Sequence, residues 1–137
     1  MKPPLVADLT WTGDLRFSGT SGASGITIDG DSVAGPSPAQ ALAYALAGCM
    51  STDVVHILTK GRHPLRAMKA HLVAERAQQD PHRLLKVDLR FDIVGAVPRE
   101  AAERAVALSH DKYCSVWHSM RQDIAMTTSF QIIPPAL

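Results

Sequence analysis

Alternation of apolar and polar positions marks both ends of the chain, and helical periodicity marks its middle. Val6, Asp8 and Thr10 oppose Ala7, Leu9 and Trp11, so a strand is expected up to a turn at Gly13-Asp14 and a return strand over Leu15 to Ser18. Gly19 to Gly25 reads as a Gly/Ser-rich loop and Gly25 to Asp29 as a third short strand. Asp29-Gly30-Asp31-Ser32 breaks the pattern and opens a connection to Gly35. From Pro36 the period changes. Ser37 is an N-cap followed by Pro38, whose missing N–H is harmless in a first turn, and Ala39 to Lys60 has no proline and many Ala and Leu residues. That spacing predicts a helix whose middle is apolar or small on every side, ended by Gly61.

Two long strands follow. Met68, Ala70, Leu72 and Ala74 share one face, against Lys69, His71 and Glu75 on the other. After a turn at Gln79-Asp80-Pro81, Leu85, Val87, Leu89, Phe91 and Ile93 alternate with Lys86, Asp88, Arg90 and Asp92, the signature of a strand buried on one side. Pro98 opens an amphipathic helix to about Lys112, a short helix is expected over Cys114 to Met120, and Ile124, Met126, Thr128, Phe130 and Ile132 form one face of a last strand. The order β-β-β, helix, β-β, helix, short helix, β predicts a single α+β domain over 1–137 with antiparallel sheet. One sheet covers only one side of an all-round apolar helix, so a homodimer is expected to cover the other.

Composition narrows the classes. The 46% apolar and 20% charged fractions are those of a globular chain, and a net charge of +1 with interspersed signs gives no footprint for nucleic acid. Met1-Lys2-Pro3-Pro4 runs straight into strand-like sequence without the apolar core of a signal peptide, and the uncharged stretch Ala41 to Thr52 is too short for a bilayer. A cytoplasmic protein without membrane association is expected.

The two cysteines carry the candidate chemistry. Without an export signal a structural disulfide is not expected, and their wide separation makes neither a CxxC motif nor a metal knuckle. Cys49 lies deep in the long helix, where the dipole of the first turn does not reach, so a reactive thiolate there needs a nearby cation or hydrogen-bond donor. Gly48 beside it either lets another backbone pack closely or leaves room for a substrate. Cys114 follows Tyr113, where one helix ends and another begins, so free N–H groups are expected near its sulfur. His110, Cys114 and His118 are spaced four apart and would share a face on a continuous helix, but the break near Tyr113 argues against a metal half-site, and no metal is assigned.

The stretch Gly35-Pro36-Ser37-Pro38-Ala39-Gln40-Ala41-Leu42, continuing to Ala47-Gly48-Cys49 and Asp53-Val54-Val55, resembles the central helix of OsmC/Ohr proteins. Lys112-Tyr113-Cys114-Ser115-Val116 is similar to their second-cysteine segment, and the resemblance runs from about Trp11 to Ile132. It implies an intertwined homodimer with antiparallel sheets wrapped around buried central helices and active sites at the subunit interface. It further implies thiol-dependent reduction of organic hydroperoxides in oxidative-stress defence, with Cys49 peroxidatic and Cys114 resolving. The reductant would be a lipoylated protein or small dithiol, and no metal, haem or flavin cofactor is implied. Where the best-characterised members carry a glutamate before the cysteine, this chain has Gln40. Arg16, the one arginine before the helix, is the candidate cation beside the thiolate. Leu42, Leu46, Met50 and Trp117 are the candidate apolar lining. That lining would equally serve the alternative, a non-enzymatic OsmC-like protein that binds an apolar small molecule or senses oxidants at the dimer interface.

Overall fold

The computed structural model describes residues 1–135. The chain forms two compact units, Met1–Tyr44 and the segment from Ala45 onward. In the first unit, β1 (Asp8–Gly13), β2 (Arg16–Ser21) and β3 (Ser24–Asp29) make an antiparallel meander in the order β1-β2-β3. The expected loop at Gly19 to Gly25 collapses into a hairpin, because β2 and β3 pair out to Ser21↔Ser24 and Gly22 takes a positive φ of 58° in the turn. Leu9, Gly19 and Ile26 lie in one row across the strands, and Trp11, Phe17 and Ile28 in the next. One face of the sheet is therefore apolar, yet Trp11 is 65% and Leu9 60% exposed.

Asp29 closes this unit. It is 1% exposed, and its carboxylate accepts the N–H groups of Asp31 (2.9 Å), Ala34 (2.9 Å) and Val33 (3.3 Å) together with Arg16 Nε (3.2 Å). The loop from Gly30 to Ala34 is thus tied to one side chain. The Ala34 and Asp31 N–H groups, more than Arg16, hold the carboxyl down to about 2 from 3.8. A depressed folded-state value means that Asp29 stabilises the unit above the unfolded value and loses that contribution as pH falls through about 4 toward 2. The urea midpoint is expected to drop between about pH 5 and pH 2.5, and to drop less in Asp29→Asn. Equal drops in the two proteins would remove Asp29 as the cause.

Helix α1 (Pro38–Lys60) starts as read, with an addition: Ser37 Oγ accepts the N–H of Gln40 (3.1 Å) while Gln40 Oε1 accepts the N–H of Ser37 (3.0 Å), a reciprocal capping box. At its other end the left-handed residue is Arg62 (φ 60°), one place after Gly61. The N–H groups of Arg62 and His63 close onto the carbonyls of Thr59 and Leu58, each at 3.0 Å.

In the second unit β4 (Leu65–Arg76), β5 (Leu84–Gly95) and β6 (Ala125–Ile133) form a sheet in the order β4-β5-β6. The alternation in β5 is as expected over Val87, Leu89, Phe91 and Ile93, which are fully buried, whereas Leu85, expected on the same face, is 41% exposed at the start of the strand. Gly95 ends it at φ 142°, where an added Cβ would stand 2.2 Å from the carbonyl oxygen of Pro64. The expectation of purely antiparallel sheet is corrected here, because β5 and β6 run parallel. The segment between them carries α2 (Arg99–Leu108), a π-helical turn (Ser109–Tyr113) and α3 (Ser115–His118), enough chain to return to the starting edge and enter in the same direction. Leu46, Met50, Val54 and Leu58 form the stripe of α1 that enters this core, beside Ala102, Ala105, Cys114 and Trp117.

The uncharged run is longer than Ala41 to Thr52, and its length does not exclude a bilayer. The uncharged sequence extends from Ser32 to Thr52, and α1, at 23 residues, is by length and composition long and apolar enough to cross a membrane. Its second half instead packs its buried stripe against protein, as a core helix does.

Candidate functional site

The second unit brings the two cysteines together. Cys49 projects from α1, partly exposed, and Cys114 is fully buried at the head of α3. What places Cys114 is the π-helical turn. After Leu108 the chain widens, so that the Cys114 N–H bonds the Ser109 carbonyl five residues back (2.9 Å) rather than four. The extra residue rotates Cys114 out of the α2 phase into an extended conformation (φ −71°, ψ 100°), where it caps α3 and its Sγ accepts the Trp117 N–H at 3.4 Å. The same widening undoes the His110–Cys114–His118 face. His110 stacks on Trp117, and His118 Nε2 sits 3.0 Å from the carbonyl oxygen of His110.

Around the sulfurs the environment is unequal. Burial pushes the Cys49 thiol up, but the Val116 N–H, the Cys114 thiol and the hydroxyl and N–H of Ser115 all donate toward it and together bring it below the ordinary thiol value. Ser115 Oγ lies 3.7 Å from Cys49 Sγ. For Cys114, burial dominates and the neighbouring Cys49 adds to it, outweighing the Trp117 N–H and raising the thiol to about 11. The donors that Cys49 requires thus come from the start of α3 rather than from its own helix. Chemically, the accessible sulfur is the one that ionises first, and the sealed sulfur keeps its proton beside it.

Asp53 completes the cluster. Four residues after Cys49, it lies one turn further along the same face of α1, and a carboxylate oxygen stands within 4.8 Å of both sulfurs. Its Oδ2 accepts the hydroxyl of Ser109 (2.7 Å), which is itself fully buried in the π-helical turn. Asp53 and Ser115 stand in the family-like stretches without an expected role, and Ser109 carries no sequence signal of its own. The i,i+4 spacing of Cys49 and Asp53 was the available signal for the first; the other two depend on how the turn docks.

The remaining candidates fall as follows. Arg16 pairs with Asp29 within the first unit, and Gln40 Oε1 is taken up by the N–H of Ser37 and the hydroxyl of Ser32 (2.9 Å). Leu46, Met50 and Trp117 are closed into the core against which the cysteine pair rests, so in the single chain they form a floor rather than an open slot, and Leu42 is exposed. Close packing on Gly48 is not found: a Cβ there would meet nothing within 4 Å, which leaves open space beside Cys49. A cleft of about 520 Å³ lies farther along α1, lined by Ile57, Lys60, His63, Glu100, Arg104 and Tyr113 among others, and neither sulfur borders it.

Residues 29–129 match the family of OsmC-like proteins. The chain is 37% identical to Protein YhfA of Escherichia coli (strain K12) over 133 residues, covering 94% of this chain and 98% of that protein. Its structure is similar to that of a hypothetical protein from Aquifex aeolicus VF5, with a TM-score of 0.91 and 25% identity over 98% of this chain and 100% of that one. An organic hydroperoxide resistance protein OsmC from Legionella pneumophila shares the fold at a TM-score of 0.68 and 16% identity, over 94% of this chain and 97% of that one.

Proposed function

Since the chain belongs to the family of OsmC-like proteins, we propose that its Cys49–Cys114 pair reduces organic hydroperoxides in defence against oxidative stress. The observation that carries this reading is the unequal pair itself: a partly exposed thiol held below its ordinary pKa, within 4.8 Å of a buried thiol raised to about 11. The Cys49 thiolate attacks the terminal peroxide oxygen, forming an S–O bond as the O–O bond breaks; the alcohol leaves with a proton from solvent, and Cys49 is a sulfenic acid. The Cys114 sulfur then attacks Cys49, an S–S bond forms, and the hydroxyl departs as water with the Cys114 proton. An external dithiol, a lipoyl group or small molecule, returns two electrons by exchange. No cofactor enters these steps. Within them Cys114 protects Cys49, because disulfide formation competes with further oxidation to sulfinic acid.

The working form in this reading is a homodimer. The uncovered apolar face of the β1-β2-β3 sheet, with Leu9, Trp11 and Ile26 exposed, and Tyr44 at 72% and Val55 at 37% exposure on α1, are surfaces that a second copy would bury. It would also add residues to the open space beside Gly48.

Intact mass of the reduced protein, before and after one equivalent of cumene hydroperoxide, tests the chemistry. Loss of about two mass units within seconds, in a species whose native mass is that of a dimer, is the expected result for an intramolecular disulfide. An unchanged mass after minutes in a folded dimer would overturn the peroxidase reading in favour of the ligand-binding alternative.

A further inference from the structure

The hydroperoxide reaction leaves part of the cluster unused. Cys49 Sγ, Cys114 Sγ and a carboxylate oxygen of Asp53 all lie within 4.8 Å of one another, and no step above needs Asp53. We propose that this trio is a binding site for a thiophilic divalent cation of the zinc or cadmium class. Cys49 and Cys114 are its sulfur ligands, Asp53 its oxygen ligand, and the fourth position opens to solvent on the Cys49 side.

The donor set suits that class, since soft sulfurs select zinc-like ions and one carboxylate is a common third ligand. Tetrahedral zinc bound at about 2.3 Å by sulfur and 2.0–2.2 Å by oxygen sets its ligand atoms roughly 3.5–3.8 Å apart, so the trio, within 4.8 Å, needs to contract by at most roughly 1.3 Å. Three structural features prepare it. Cys49 and Asp53 share a face of α1 at i,i+4, and the π-helical turn delivers Cys114 to that face. The buried Ser109 hydroxyl donates to Asp53 Oδ2 at 2.7 Å, orienting the carboxylate as an outer partner does. Cys49, partly exposed, supplies the way in.

Binding forms two S–metal bonds and one O–metal bond, and the thiol protons pass to solvent; no electrons move, so no oxidant or reductant is required. Oxidation to the disulfide removes both thiolate ligands and expels the ion. The cation and the hydroperoxide therefore exclude each other: the metal masks the reduced pair, and oxidation releases the metal. Metal binding requires the pair to be reduced and does not require turnover.

Anaerobic titration of the reduced full-length protein with cadmium chloride tests it, followed by the ultraviolet sulfur-to-cadmium charge-transfer band and by thiols reactive to a disulfide dye. The expected result is saturation at about one cadmium per chain with loss of both thiols. The band should fall to about half in Cys114→Ser, where one sulfur remains. Affinity should weaken roughly tenfold or more in Asp53→Asn, and measurably in Ser109→Ala, whose direct ligands are intact. Affinity equal to wild type in Asp53→Asn, or thiols that remain reactive at saturation, would overturn the site. Should Asp53→Asn misfold, the thiol count and the Ser109→Ala affinity decide. A protein that binds cadmium this way yet leaves cumene hydroperoxide untouched would keep this site and lose the peroxidase reading, and the converse result would do the opposite.

Discussion

Cys49→Ser is expected to slow hydroperoxide consumption by on the order of 10³-fold or more, to the level of buffer, with the fold and the native mass unchanged. The serine hydroxyl is isosteric but remains protonated near neutral pH, so the donors that lower the Cys49 thiol, the N–H of Val116 and the Ser115 side chain among them, have no anion to stabilise. The pH profile identifies the sulfur as well as the loss. In the wild type, the rate should climb through a midpoint below the ordinary thiol value, since thiolate accumulates as pH rises through a lowered pKa. Cys114→Ser should keep that midpoint and its first turnover, but then stall as Cys49 oxidises beyond sulfenic acid. Retained consumption in Cys49→Ser, or a midpoint that disappears in Cys114→Ser, would assign the attack to the wrong sulfur.

The second large effect concerns stability. Phe91→Ala should cost about 3–5 kcal/mol by urea denaturation. Phe91 is fully buried at the centre of β5, opposite Ala70 on β4 and Phe130 on β6, so its removal opens a void that neither flanking strand can fill. Leu85 tests the reasoning on the same strand. It carries a similarly large side chain but is 41% exposed, and Leu85→Ala should cost less than about 1 kcal/mol. Equal losses at the two positions would mean that residual exposure is filled by something outside the chain.

That contrast shows how much of the fold was readable and where reading stopped. A half-buried strand writes its buried side as a period of two, so Val87 to Ile93 could be read directly. The same period says nothing about direction, so Ile124 to Ile132 was placed on one face correctly while its parallel pairing with β5 went unseen. The Gly and Ser residues of Gly19 to Gly25 suggested a loop, because strands with little cover carry no alternation to mark them. In the candidate site, the cysteines stood out by residue type, and a chain break at Tyr113 was visible. The π-helical turn has no proline or glycine to announce it, and the buried Ser109–Asp53 bond exists only after that turn docks on α1. Gln40 illustrates the reverse case. A capping-box residue three places after Ser37 is legible in the sequence, yet the resemblance to the family's helix start points to a role beside the thiolate instead.

The parallel pairing of β5 with β6 also dictates an order of events during folding. β4 and β5 join through the short connection 77–83 and can zip locally, whereas β6 reaches its place only after the crossover 96–124 has been laid across the sheet. Cys114 travels on that crossover. The native approach of the two sulfurs therefore depends on a long-range closure, since Cys49 sits on α1 and Cys114 on the crossover. Formation of that bond with native speed becomes a mark that the crossover has docked on α1, and peroxide given to refolding protein should link the two sulfurs more slowly than in the folded chain.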